Sequence, residues 1–293
     1  MLKRQKSFHN GEKEIGDLYL VPTPIGNLED MTFRAIKILK EVDLIAAEDT
    51  RQSRKLCNYF EIETSIFSYH EHNKETSGNR VLELLQQKKN IALISDAGMP
   101  TISDPGSELV KQVLALGGSV IPLPGANAAL TALIASGISP QPFYFFGFLD
   151  RQKKEKKNQL ESLRGRIETI ILYESPHRLK ETLQLMKEYL GNRSICLSRE
   201  LTKKFEEFIR GNIDEVIKWS EENEIRGEFC IIVEGTDEDE FSTDENMWWS
   251  ELTIMDHVEH YIEQDVPSKE AIKRVSIERG IQKREVYQAY HID

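Results

Sequence analysis

Two hydrophobic periods alternate along the first half of this chain. Residues 17–22 (DLYLVP), 42–47 (VDLIAA), 65–69 (SIFSY), 91–94 (IALI) and 119–123 (SVIPL) have the length and apolar density of buried strands. Between them the apolar positions recur at helical spacing. Residues 28–41 carry Met31, Ala35, Ile38 and Leu39 on one side, and residues 79–88 carry Val81, Leu84 and Leu85. Residues 107–116 form a third helical stretch, closed by Gly117-Gly118. Strand and helix in repeated alternation predict a mostly parallel sheet covered by helices on both faces.

Pro124-Gly125 interrupts the alternation, and residues 127–136 read as a helix of small residues. Ala126, Ala128, Ala129, Ala132 and Ala135 there permit close approach to a neighbouring backbone. Strands then become denser: 143–148 (FYFFGF), 169–173, 194–198, a hairpin-like arm at 204–210, and 229–233. Helices are expected from Pro176 and over 213–222. More strands per helix predict a mixed sheet with antiparallel neighbours. After an acidic stretch, 248–262, 268–280 and 282–291 read as three helices. The last two flank Gly280, with Ala271 and Val286 where a helix-turn-helix keeps its small and apolar positions, a pattern that a three-helix appendage for packing or dimerisation fits as well. The expected organisation is an extension (1–16), an N-terminal α/β domain (17–125), a C-terminal α/β domain (126–235), an acidic linker (236–246) and an HTH-like helical module (247–293).

Net charge is −11, which taken alone disfavours nucleic acid. Its distribution changes that conclusion. Eleven of the 49 acidic residues fall in 236–265, which holds no Lys or Arg, so the remainder carries 38 acids against 38 bases. Residues 151–166 hold seven bases and two acids, and 267–293 hold six bases and four acids. Patches of this kind suit polyanions, or simply solvated helix faces. Cys57, Cys196 and Cys230 are far apart with no metal-ligand spacing, so no metal site and a reducing, cytoplasmic setting are expected. No apolar run approaches a membrane span, and the basic N-terminus lacks the apolar core of a secretory signal.

The candidate chemistry collects at strand ends. Residues 95–106 (SDAGMPTISDPG) follow an apolar strand with turn-formers and two carboxylates, Asp96 and Asp104. Such loops are where open α/β sheets bind ligands. Asp104 is open to two readings, ligand contact or capping of the helix at Ser107. The loop at 22–27 (PTPIGN) lacks the signatures of a P-loop or GxGxxG, and its two prolines remove amide donors, so it reads as a rigid wall. Residues 47–51 (AEDTR) gather Glu48, Asp49 and Arg51, with Arg54 beyond, suited either to phosphate or to ion pairing at a helix start. His70 and His72 in 69–72 (YHEH) lack a third ligand, so surface or substrate contact is expected. Residues 173–178 (YESPHR) and 199–203 (RELTK) place Glu174, His177, Arg178 and Lys203 at the ends of second-half strands, which implies a cleft between the halves.

Eight motifs run in order: PTPIGNLEDMTFRA (22–35), AAEDTR (46–51), SDAGMPTISDPG (95–106), PLPGANA (122–128), FFGFL (145–149), YESPHR (173–178), SRELTK (198–203) and GEFCIIVEG (227–235). Jointly they resemble the tetrapyrrole methylase superfamily and, within it, the ribosomal RNA small subunit methyltransferase I family. The resemblance implies two α/β domains with the cofactor cleft between them, a homodimer, and a C-terminal helical appendage. It implies 2′-O-methylation of a cytidine ribose in small-subunit (16S) ribosomal RNA, within the assembled 30S subunit, with S-adenosylmethionine as methyl donor. Carried over residue by residue, the cofactor contacts fall on Asp96, Ala97, Gly98 and Met99, on Asn127 and Ala128, and on Tyr173 and Phe229. Asp49 or Glu48 is then expected as base or orienter of the 2′-hydroxyl. Arg51 and Lys203 are expected to hold flanking phosphate or to lower the acidity constant of the hydroxyl, with Glu174, His177 and Arg178 as second choices. The patch at 151–166 and the C-terminal helices are the candidate RNA surface. The competing readings are a methyltransferase of a porphyrin or corrin ring on the same fold, and an assembly factor with a vestigial cofactor site.

Overall fold

A computed structural model describes residues 4–7, 14–70, 74–236, 249, 251–264 and 266–291, apart from the side chains of 74–76. Glu71 and His72 of the 69–72 motif, the acidic linker beyond Thr236, and Trp248 lie outside the described residues. The chain divides into two compact units, Met1–Gly235 and Thr236–Asp293.

The first unit holds two five-stranded sheets. In the first sheet, β1 (Asp17–Leu20), β2 (Leu44–Ala47), β3 (Ile66–Ser68), β4 (Ile91–Ile94) and β5 (Ser119–Pro122) lie in the order β3-β2-β4-β1-β5. All four pairings are parallel. Strand alternation sends Val21, Ile45, Ala92 and Ile94 to one face, against α1 (Phe33–Glu41) and α2 (Thr50–Tyr59). Leu18, Ala46, Ile91 and Leu93 go to the other, against α3 (Lys74–Gln86) and α4 (Ser107–Ala115). Both faces are thus buried, as the continuous apolar run of β4 requires. The chain leaves β1 toward β2 on one side and leaves β4 toward β5 on the other. The switch point therefore lies between the carboxyl ends of β1 and β4, where an open α/β sheet opens a crevice.

Helix α5 (Ala128–Ser136) leads into the second sheet. There β6 (Phe143–Phe148), β7 (Thr169–Glu174), β8 (Ser194–Arg199), β9 (Glu207–Asn212) and β10 (Phe229–Val233) take the order β6-β7-β10-β8-β9. β6 and β7 are parallel and the other pairs antiparallel, so the sheet is mixed as expected. Phe229, Ile231 and Val233 face α6 (Lys153–Leu163), α7 (Leu179–Leu190) and α8 (Ile213–Glu222). Cys230 and Ile232 face α5, whose Ala129 and Ala132 are the small residues that let it lie close on the strands.

Four helical expectations shift. The helix expected over 79–88 runs instead over Lys74–Gln86. The single helix over 28–41 is a short 3-10 turn at Leu28–Asp30, then α1 from Phe33. Asn27 accepts from the Glu29 amide and the Thr32 hydroxyl from the Ala35 amide, so two side-chain caps divide one apolar pattern. Pro176 does not begin α7; a turn bonded from Arg178 to the Ser175 carbonyl precedes Leu179. The helix expected over 248–262 begins at Ile254, because Thr253 and Asp256 close a capping box there.

The second unit contains α9 (Ile254–Glu263), α10 (Ser268–Glu278) and α11 (Lys283–His291) around Val258, Ala271, Ile272, Val275 and Val286. Gly280 turns between α10 and α11 at φ 63°. His257 is fully buried, 2.8 Å from Glu278, and accepts from the Arg279 guanidinium. No helix among the described residues is long and apolar enough to cross a membrane.

Candidate active site

The loop after β4 carries the site. Thr23 and Gly98 exchange both main-chain hydrogen bonds at 3.0 Å, joining the loop after β1 to the loop after β4 at the switch point. The Thr23 hydroxyl is buried and donates to the Ser95 carbonyl. Gly98 (φ 79°), Thr101 (73°), Ser103 (61°) and Gly106 (131°) all take left-handed backbone. A second cluster, Glu200 (51°), Thr202 (64°) and Gly227 (82°), sits in the loops flanking β8 and β10. Left-handed non-glycine residues cost about 1 kcal/mol each or more and persist where surrounding structure over-determines them. Gly98 and Ser103 of the first cluster and Glu200 of the second line one cavity of about 490 Å³ between the two sheets.

Asp96, Ala97, Gly98, Met99, Asn127, Ala128, Tyr173 and Phe229 all line this cavity, as does Lys203. Asn127 caps α5 by accepting from the Leu130 amide, and the Tyr173 hydroxyl accepts from the Ala129 amide at 3.1 Å. The Tyr173 ring stands T-shaped to Phe145 and Phe148, and burial raises its hydroxyl to about 12, so it stays neutral. Ile25, Ile102, Phe148, Leu201 and Cys230 supply apolar wall, and Asp96, Asp104, Glu200 and Glu228 supply carboxylates.

Asp104 does not cap α4. The N-cap there is Gly106, with no side-chain bond, and the Asp104 carboxyl lines the cavity instead. Burial first, then the negative charge of Glu48, raises it to about 6. The sequence offered Asp104 only as an alternative; two acids eight residues apart in one turn-rich loop were the available signal. Glu228 was missed, since a lone acid before an apolar strand looks like any surface position.

The remaining candidates are placed differently. Glu48, Asp49 and Arg51 do not line the cavity. Asp49 caps α2 through the Arg51 amide (2.8 Å) and pairs with the Arg51 guanidinium (3.0 Å), which lowers it to about 2. A carboxylate so well satisfied is a weak base. Lys203 lies between Glu200 (3.0 Å) and Glu228 (2.9 Å). Burial pulls its pKa down, but the bonds to Glu228 and Glu200 outweigh this and the net shift is upward. Its charge is already compensated, which argues against a phosphate role. Glu174 also lines the cavity, but it is buried, accepts from the Thr182 hydroxyl (2.6 Å) and the Ser175 amide and pairs with Arg178 (3.3 Å), while Arg178 turns inward to the carbonyls of Leu149 and Asp150. His177 is exposed.

The tetrapyrrole (corrin/porphyrin) methylase model matches residues 17–217. Over 292 residues the chain is 66% identical to the ribosomal RNA small subunit methyltransferase I of Bacillus subtilis, covering 100% of this chain and 99% of that protein. The chain belongs to the ribosomal RNA small subunit methyltransferase I family. Its counterpart from Halalkalibacterium halodurans is 55% identical, with 99% of each chain covered. Two solved structures share the fold. A uroporphyrin-III-C-methyltransferase from Thermus thermophilus is 18% identical at TM-score 0.53, covering 75% of this chain and 94% of that one. A cobalt precorrin-4 methyltransferase is 16% identical at TM-score 0.58, covering 74% and 94%.

The family is one of S-adenosylmethionine-dependent methyltransferases. The cavity suits that cofactor: apolar walls meet carboxylates for a ligand carrying both cations and apolar surface. Gly98 presents bare backbone to the cavity wall: a Cβ there would sit 3.3 Å from Ile25 Cγ2 in a strained left-handed conformation.

Proposed function

We propose that this protein methylates the ribose 2′-oxygen of a cytidine in 16S ribosomal RNA. The observation that carries the reading is full-length identity of 66% to a ribosomal RNA small subunit methyltransferase I, together with a cofactor-sized cavity at the switch point. The macrocycle methyltransferases match at 16–18% identity, which supports the fold alone.

S-adenosylmethionine supplies the methyl group and the positive charge that makes it transferable. The chain's own residues orient, shield and hold protons. Asp96 and the main chain of 97–99 grip the polar parts of the cofactor, while Tyr173 and Phe229 wall the apolar part. The 2′-hydroxyl is a poor nucleophile until its proton is shared, and Asp104, raised to about 6, is a base of suitable strength within the cavity. Glu48 raises Asp104 by like charge, and Asp49, capping α2 and paired with Arg51, holds the end of the loop after β2 in place. The active form is a homodimer, and the substrate is RNA within the 30S subunit, which places the protein in the cytoplasm.

The test is transfer of label from S-adenosylmethionine to purified, unmodified 30S subunits, followed by mapping of 2′-O-methyl positions. Label on an alkali-resistant cytidine dinucleotide supports the reading. Label on a porphyrin or corrin but not on subunits overturns it.

A further inference from the structure

A second cavity, of about 510 Å³, shares Asp96 with the first. Its walls are the loop after β1 (Thr23, Pro24, Gly26) and one face of α2. On that face Gln52, Lys55 and Tyr59 follow at i, i+3 and i+7 beside the buried Ser53, while Cys57 turns into the core. Tyr59 is 62% exposed, an aromatic with little core role placed at a cavity wall. Among the described residues no ion pair holds Lys55. The cavity thus combines a stacking surface, an amide able both to donate and accept, and a cation. Unstacked nucleotides are recognised by this set of groups. Its volume is in the range of roughly 300–1,000 Å³ typical of small-ligand sites.

We propose that this second cavity holds the target nucleotide of the RNA. The base stacks on Tyr59 and meets Gln52 at its edge, Lys55 holds the adjoining phosphate, and the ribose is directed past Asp96 toward the cofactor cavity. The proposal rests on the RNA-methylating reading above. A macrocycle would need a broad apolar wall and several cations; this cavity offers Leu28 and Leu56 with one lysine.

The test compares the native protein with Tyr59→Ala, Tyr59→Trp and Lys55→Ala, using unmodified 30S subunits as the RNA probe. Three readouts are taken: subunit affinity by filter binding without cofactor, KM for subunits, and S-adenosylmethionine affinity by calorimetry. Tyr59→Ala is expected to weaken subunit binding and raise its KM about ten-fold, with cofactor affinity unchanged. Tyr59→Trp, which keeps a stacking face, is expected to lose less. Lys55→Ala is expected to make the salt dependence of subunit binding shallower by about one ion. Lys218→Ala, an equal charge change on the exposed face of α8, is the control expected to match the native protein. An unaltered subunit KM in Tyr59→Ala, or cofactor affinity falling in step with it, overturns the proposal, as does equal loss in the Ala and Trp variants. If the native protein transfers no label to subunits, the RNA reading fails with it. If the native protein does so and the variants match it, only the nucleotide site fails.

Discussion

The Asp49 main-chain N–H donates to the Asp96 carboxylate over 2.9 Å, tying the loop after β2 to the loop after β4. Asp96 is thereby fixed where the two cavities meet. Asn at position 96 can still accept that bond but carries no charge; Ala can do neither. Asp96→Asn is expected to weaken S-adenosylmethionine binding about ten-fold, and Asp96→Ala further, since a hydrogen bond to a charged group contributes about 1.5–3 kcal/mol. Calorimetric titration of the cofactor checks both. Equal affinities for the native and Ala proteins would remove Asp96 from the site.

Asp104 titrates where activity is measured. Its carboxyl stands raised to about 6, so lowering the pH through that value protonates it. The rate constant kcat/KM is expected to fall on the acid side with an apparent pKa near 6, reporting the free enzyme. Asp104→Asn removes that limb along with most of the rate, whereas Asp49→Asn keeps it, because Asp49 titrates at about 2.

The stability sign follows from the same shift. Between the ordinary carboxylate range and about 6, the folded state binds more protons at Asp104 than the unfolded state. Stability from this group therefore declines as pH rises through that window. Asp104→Asn is expected to raise Tm relative to the native protein at about pH 8 and to lose that advantage at about pH 4. Calorimetric scans at both pH values check it; an advantage of the same size at both would exclude titration as its source.

Gly26 brings the loop after β1 against the loop after β8. A Cβ there would meet Lys203 Cγ at 2.4 Å, Thr202 Oγ1 at 2.9 Å and the Leu201 carbonyl at 3.1 Å. Because Lys203 is held by two carboxylates and Thr202 has left-handed backbone, neither yields easily. Gly26→Ala is expected to cost about 1–3 kcal/mol in urea unfolding and to weaken cofactor binding by opening the cleft. A variant equal to the native protein in both measurements would show that the loop gives way freely.

The strands were legible because each is short, apolar and bounded by turn-formers; β4, β6 and β10 begin and end where the pattern predicts. Helix α2 was not, since its sequence TRQSRKLCNY buries only Ser53 and Cys57 and presents no apolar stripe. The site shows the same division. Asp96–Met99, Asn127, Tyr173 and Phe229 come together because strand ends converge, and strand ends can be read from a sequence. Which acid is free to act cannot. Asp49 and Asp104 both sit in polar loops, and only folding gives Asp49 an arginine and leaves Asp104 beside Glu48.

Lys156 limits what the basic stretch at 151–166 can offer to RNA. It is completely buried, with Nζ 3.2 Å from both Glu181 Oε2 and the Thr182 hydroxyl, whereas Arg151 and Lys154 on the same stretch are exposed. Glu181 is half-exposed and returns to solvent if the ammonium is removed, and Thr182 keeps its bond to Glu174. Replacing this charge by an apolar chain of similar length therefore leaves no buried ion unpaired, the condition under which such exchanges are nearly neutral. Lys156→Met is expected to hold its urea midpoint close to the native one, while Lys156→Ala leaves a void and loses about 2–4 kcal/mol. Neither changes how binding to 30S subunits depends on salt. Lys154→Ala does, with a slope shallower by about one ion, if α6 lies on the RNA. A slope altered by Lys156→Met, or unaltered by both Arg151→Ala and Lys154→Ala, would place the RNA elsewhere on the molecule.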